Sequence, residues 1–144
     1  MGTKLFCEIY NRYVLPALRA MISEILIKKY SMTQCEVSKL LGITQPAINQ
    51  YLSRRRGYKV VKVLKSSGRI SRLAEEVADM IVRERPNPKE IAKMLCVSCA
   101  MIRSDDEVLK KLLATINLGN GNVVLTDCLL HNTVTMRTYR EVSD

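Results

Sequence analysis

The 144-residue chain has room for one hydrophobic core or two small helical units, which excludes a large enzyme. Apolar residues make up 47% and charged residues 26%, with one Phe and no Trp, the composition of a soluble globular protein with an aliphatic core; no stretch approaches the roughly 18 apolar residues of a membrane span, Arg19 and Glu24 breaking the best candidate. The net charge of +9 points toward polyanionic partners, and the absence of a signal-peptide pattern makes the cytoplasm the expected compartment and a membrane partner unexpected.

Residues 11 to 29 read as an amphipathic helix, because Val14, Leu15, Leu18, Ile22, Ile25 and Leu26 recur at three- and four-residue spacing. Pro16 then lies in its first turn or marks a kink. In "TQCE", Thr33 and Glu36 make a capping box that opens a short helix from Gln34 to about Leu41. Gly42 stands where helices commonly end in a left-handed residue, Ile43 tucks inward, and Thr44 caps a second helix. Pro46 falls in the first turn of that helix, where a missing amide hydrogen costs little.

After Gly57, "YKVVKVLKSSG" alternates basic and β-branched residues and suits a strand, a wing-like hairpin arm or a linker, so residues 58–68 are assigned to a basic linker or wing. From Arg69 to about Glu84, Ile70, Leu73, Val77 and Met80 alternate spacings of three and four, the pattern of a helix lying along another in the core or in a dimer seam. Asn87 and Pro88 cap and start a helix to about Arg103, with Ile91, Leu95 and Ile102 inward. "SDDE" opens another, whose apolar stripe is Val108, Leu109, Leu112, Leu113 and Ile116. "GNGN" ends it, and the β-branched tail beyond suits a short strand or hairpin near the carboxy terminus. The expected fold is mainly α: a helix-turn-helix unit at residues 1–57 and a helical region at 69–144 that dimerises or senses.

Two short helices joined through a glycine turn have the signature of a helix-turn-helix. Counting from Gln34, the arrangement wants an apolar residue fourth, a small one fifth, glycine ninth, and apolar residues tenth, fifteenth and eighteenth. The chain supplies Val37, Ser38, Gly42, Ile43, Ile48 and Tyr51. The opposite, outward face of the second helix then carries Thr44, Gln45, Pro46, Asn49, Gln50 and Ser53, and in such a motif this face enters the major groove. Gln45 and Asn49 carry amides suited to a bidentate pair with adenine, and Gln34 is placed for a phosphate. Between Glu36 and Glu75 there is no acidic residue but nine basic ones, so Arg54, Arg55, Arg56 and Lys59 are expected on phosphates. The plainer interpretation is a glycine-joined helical pair of another kind with a solvated basic face.

The stretch "CEIYNRYVLPALRAMISEILIKKYSMTQCEVSKLLGITQPAINQYLSRRRG" resembles the amino-terminal half of archaeal transcriptional regulators with a helix-turn-helix of the lambda repressor/Cro (XRE) type, over about residues 6 to 57. That resemblance implies that Gln34 and Gln45 contact the DNA backbone and bases, that the protein is a homodimer on a two-fold related site, and that a cysteine-bearing carboxy-terminal half follows, as in "KMLCVSCAMIR".

Cys96 and Cys99 form C-x-x-C, and Cys128 with His131 forms C-x-x-H, spacings compatible with a tetrahedral zinc site. Cys7 in place of His131 would give four thiolates, the usual complement of an iron–sulfur cluster. Against a metal, "IAKMLCVSCAMIR" reads as one apolar helix in which Cys96 or Cys99 is core. His131 is the only histidine, and neither a phosphate loop nor a carboxylate pair appears, so no enzyme activity is expected. The sequence thus leads to a DNA-binding regulator of transcription reading the major groove, with a nucleoid-type architectural protein and a metal- or redox-sensing regulator as alternatives.

Overall fold

A computed structural model describes residues 4–54, 57–116 and 123–124. They are mainly α-helical. A two-residue strand β1 (Lys4–Leu5) leads into α1 (Phe6–Ile9), a π-helical stretch (Tyr10–Val14) and α2 (Leu15–Lys28). The helix expected at 11–29 therefore starts earlier and widens just ahead of Pro16. Proline offers no amide to the carbonyl four residues back, that of Arg12, and its ring crowds that carbonyl. The wide turn falls where the ordinary ladder would lose this bond.

Helices α3 (Gln34–Leu41) and α4 (Gln45–Leu52) follow, α3 over the expected residues and α4 starting directly after Thr44, with the turn 42–44 between them. Residues 58–65 differ from the linker or wing expected of them: they form helix α5 (Tyr58–Lys65). The reason is visible in the side chains. Val60, Val61 and Leu64 fall on one face at helical spacing, and all three are buried where α5 packs against α2, α6 and α8. Burial on a helical surface outweighs the β preference of the valines.

Helices α6 (Gly68–Glu84), α7 (Pro88–Ser104) and α8 (Asp106–Ile116) complete the bundle. Ser67 and Asn87 cap α6 and α7 through their side chains, Asn87 within a capping box with Glu90. Ile70, Leu73, Val77, Ile91 and Ile102 are buried as their spacing demands, whereas Met80 and Leu95 are half-buried and Ala74, Ala78 and Ile81 take the deeper positions. Strand β2 (Val123–Val124) pairs in parallel with β1, Lys4 opposite Val123 and Leu5 opposite Val124.

Helix α2 is the hub. It packs against α3, α4, α5 and α6, and buries Ala17, Leu18, Ala20, Met21, Ile22, Ser23 and Leu26. The one polar member satisfies itself, the Ser23 hydroxyl donating to the Arg19 carbonyl at 2.7 Å. One continuous cluster of buried side chains runs from Phe6 through Val37, Ile48 and Leu64 to Leu112. The paired helices α3 and α4 are thus fixed to α2, and through it to the rest of the core. None of the described helices is long and apolar enough to cross a membrane.

Candidate nucleic-acid interface

The α3–α4 pair is built from local bonds. Thr33 accepts from the Glu36 amide at 3.2 Å, and the Glu36 carboxylate accepts from the Thr33 amide at 2.8 Å, which closes the capping box. The Thr33 amide and then its hydroxyl hold the Glu36 carboxyl below the ordinary carboxylate range. At the far end of α3, Gly42 adopts φ +63°, the left-handed conformation that glycine tolerates without strain. The Ile43 amide returns to the Ser38 carbonyl at 3.2 Å. Ser38 does more than leave space: its hydroxyl donates to the Ile43 carbonyl at 2.6 Å and ties the turn to α3. Sequence reasoning took Ser38 only as a small residue; a hydroxyl at a position that asks for smallness was the available signal. Thr44 then caps α4 by accepting from the Ala47 amide at 3.2 Å, with Pro46 in the first turn.

This frame sorts the side chains of α4. Ile48 is fully buried and Tyr51 half-buried, while Thr44, Gln45, Pro46, Asn49, Gln50 and Ser53 are exposed. Gln45 and Asn49, four residues apart, share one face about 6 Å apart along the helix axis. Gln34 is half-buried at the start of α3. All six outward residues read from the sequence are thus brought to one exposed helix, and Gln34 opens the helix beside it.

Of the basic residues, Arg54 is exposed and left-handed at φ +60°, its guanidinium carbon 5.1 Å from the centroid of the Tyr58 ring. Arg55 and Arg56 lie outside the described residues. Lys59 is exposed on α5, followed at three-residue intervals by exposed Lys62 and Lys65, so the acid-free block forms a helical ridge where a linker had been expected. Lys65 is not a free member of it: it lies 3.1 Å from Glu24, which also pairs with Lys28 at 2.8 Å. The hydrogen bond from Lys28, and then that from Lys65, holds the Glu24 carboxyl below its usual range despite partial burial.

The cysteines are arranged differently from the α4 face. Cys96 and Cys99 lie within the unbroken helix α7, Cys96 exposed and Cys99 6% exposed, so the C-x-x-C is part of a helix and not of a metal-binding turn. Cys7 is exposed on α1. Among the described residues no group of three or more His, Cys, Asp or Glu side chains comes together to hold a metal; Cys128 and His131, the other half of the expected zinc set, lie outside them. Beside the C-x-x-C, the Tyr10 hydroxyl donates to the Leu95 carbonyl at 2.6 Å and lies 2.8 Å from the Ser98 hydroxyl. Burial pushes this phenol well above its ordinary range, with the Ser98 hydrogen bond opposing.

Comparison with known proteins gives no matching family model, no matching curated protein and no matching solved structure. Fold and surface together define a mainly α-helical protein that carries exposed amide side chains on α4 and exposed lysines along α5.

Proposed function

We propose that this protein is a DNA-binding regulator of transcription in the cytoplasm, whose α3–α4 pair acts as a helix-turn-helix. Helix α4 enters the major groove, Gln45, Asn49 and Gln50 read base edges, and Gln34, Arg54 and Lys59 hold phosphates, with Arg55 and Arg56 assigned the same task. A dimer bound to two related half-sites completes the proposal, the helices from α6 onward supplying its contacts. A short β element near the carboxy terminus, as in β2, belongs to the same proposal.

The observation that carries this reading is the division of α4: Ile48 is anchored at 0% exposure while Gln45 and Asn49 stand exposed one turn apart. A helix anchored to its core through Ile48 while two amides stay exposed supports adenine recognition. The acid-free ridge of Lys59 and Lys62 supplies the counterion-releasing part of affinity, which is independent of sequence.

The test is competition. Protein bound to labelled promoter fragments is challenged with unlabelled promoter DNA or unlabelled random DNA at several salt concentrations. The proposal expects promoter DNA to displace the label at far lower concentration than random DNA for at least one fragment. Equal displacement on every fragment would reject sequence reading and leave an architectural DNA-binding protein.

A further inference from the structure

A second feature includes none of Gln45, Asn49 and Gln50 but does take in Arg54 and Lys62 from the basic set: a cleft of about 170 Å³ bounded by α2, the last turn of α4 and α5. Four cations line it, Lys28, Arg54, Lys62 and Lys65, against one carboxylate, Glu24. The charges fall into two sets. Lys28 and Lys65 share Glu24 at 2.8 and 3.1 Å and are neutralised in part by it. Arg54 and Lys62 have no carboxylate partner among the described residues. Instead both converge on one ring, 5.1 and 5.0 Å from the Tyr58 centroid. Two like charges held at one aromatic ring repel each other, and an anion that both can reach offsets that repulsion while gaining charge-assisted hydrogen bonds from them.

We infer that this cleft binds a small phosphate-type dianion, with Arg54 and Lys62 as its principal ligands and Lys28 and Lys65 completing the charge. The guanidinium fork suits two phosphate oxygens at once, and the lysine acts as a point charge beside it. Size sets the class. The space, about 170 Å³, is below the roughly 300 Å³ at which pockets for larger organic ligands begin. Inorganic phosphate or a short phosphate monoester matches that size. Arg54 lies two residues beyond α4, so an occupant is held directly after the helix that carries Gln45 and Asn49.

The experiment follows backbone amide resonances of the full chain, without DNA, during titration at constant ionic strength. The probes are inorganic phosphate, glycerol 3-phosphate and the monoanionic diester dimethyl phosphate. Saturable shifts confined to α2, the end of α4 and α5 are expected for the first two. Lys62→Gln is expected to weaken them at least tenfold, whereas Lys93→Gln, the same charge change at an exposed position on α7, leaves them within twofold. Tighter binding of glycerol 3-phosphate would identify a monoester as the source, and tighter binding of inorganic phosphate the free ion. Shifts that fail to saturate, that spread over lysines elsewhere, or that fall equally with Lys93→Gln would overturn the inference. So would dimethyl phosphate binding as tightly as the dianions, which would assign the cleft to a DNA backbone phosphate. No DNA enters the titration, so its failure is distinct from failure of the DNA-binding proposal.

Discussion

In the proposed function Gln45 is the residue on which base reading turns, because a bidentate amide–adenine pair discriminates by about 1 to 3 kcal/mol. Gln45→Ala is expected to relax preference at one position of the bound site by that amount. Lys59→Ala, by contrast, is expected to weaken all sequences alike and to reduce the slope of log affinity against log salt by about 1. Fluorescence anisotropy with matched and mismatched duplexes over a salt series checks both. The residues that shape the turn make their own demand. An alanine methyl at Gly42 would meet no atom within 4 Å, so the effect of Gly42→Ala is backbone strain alone at φ +63°. A loss of about 1 kcal/mol in urea unfolding is expected. These positions were legible in the sequence because each acts over three to five residues: Thr33 with Glu36, Thr44 with Ala47, and Gly42 alone. The Ser38–Ile43 bond is equally short in range. It was not legible, because smallness already accounted for a serine there.

Helix α5 shows where reading by element stops. In "YKVVKVLK" the valines and lysines satisfy an alternating pattern and a helical one at once, and no cap distinguishes them, since Gly57 offers no side chain. What decides is the surface waiting for the apolar face, on α2, α6 and α8, and that surface is assembled from residues far away in sequence. Leu64 is fully buried in it, so Leu64→Ala is expected to destabilise the protein by about 2 to 5 kcal/mol by chemical denaturation. A solvated linker would show almost no change. Glu24 joins α2 to α5 through Lys65, and its carboxyl is depressed in the folded state. A depressed carboxyl contributes stability above its unfolded value, about 4.3, and loses that contribution as pH falls toward the folded value. Wild type is therefore expected to lose stability relative to Glu24→Gln below about pH 4.5. The difference should stay within about 1 kcal/mol, because the pair is partly exposed. Urea midpoints measured between pH 3 and 7 check the sign.

For the whole molecule, the buried cluster joins the α3–α4 pair to the last helix by way of α2 and α5. Leu112→Ala, at a fully buried position on α8, is accordingly expected to lower the unfolding midpoint seen by hydrogen exchange at Val37 and Ile48 as well as at α8 itself. Independent loss of α8 would mean that the α3–α4 pair stands on its own. The mainly helical class and most helix starts were legible from caps and spacing. The continuity of the core was not, because it depends on which faces meet, and the fourfold Cys and His set ends in residues outside those described. The most direct measurement of all is selection of bound duplexes from a random library by the wild-type protein and by Gln45→Ala. A recurring site for wild type, with adenine preference lost at one position in the variant, is the expected result. No enrichment by wild type, or identical sites from both proteins, would contradict base reading by α4.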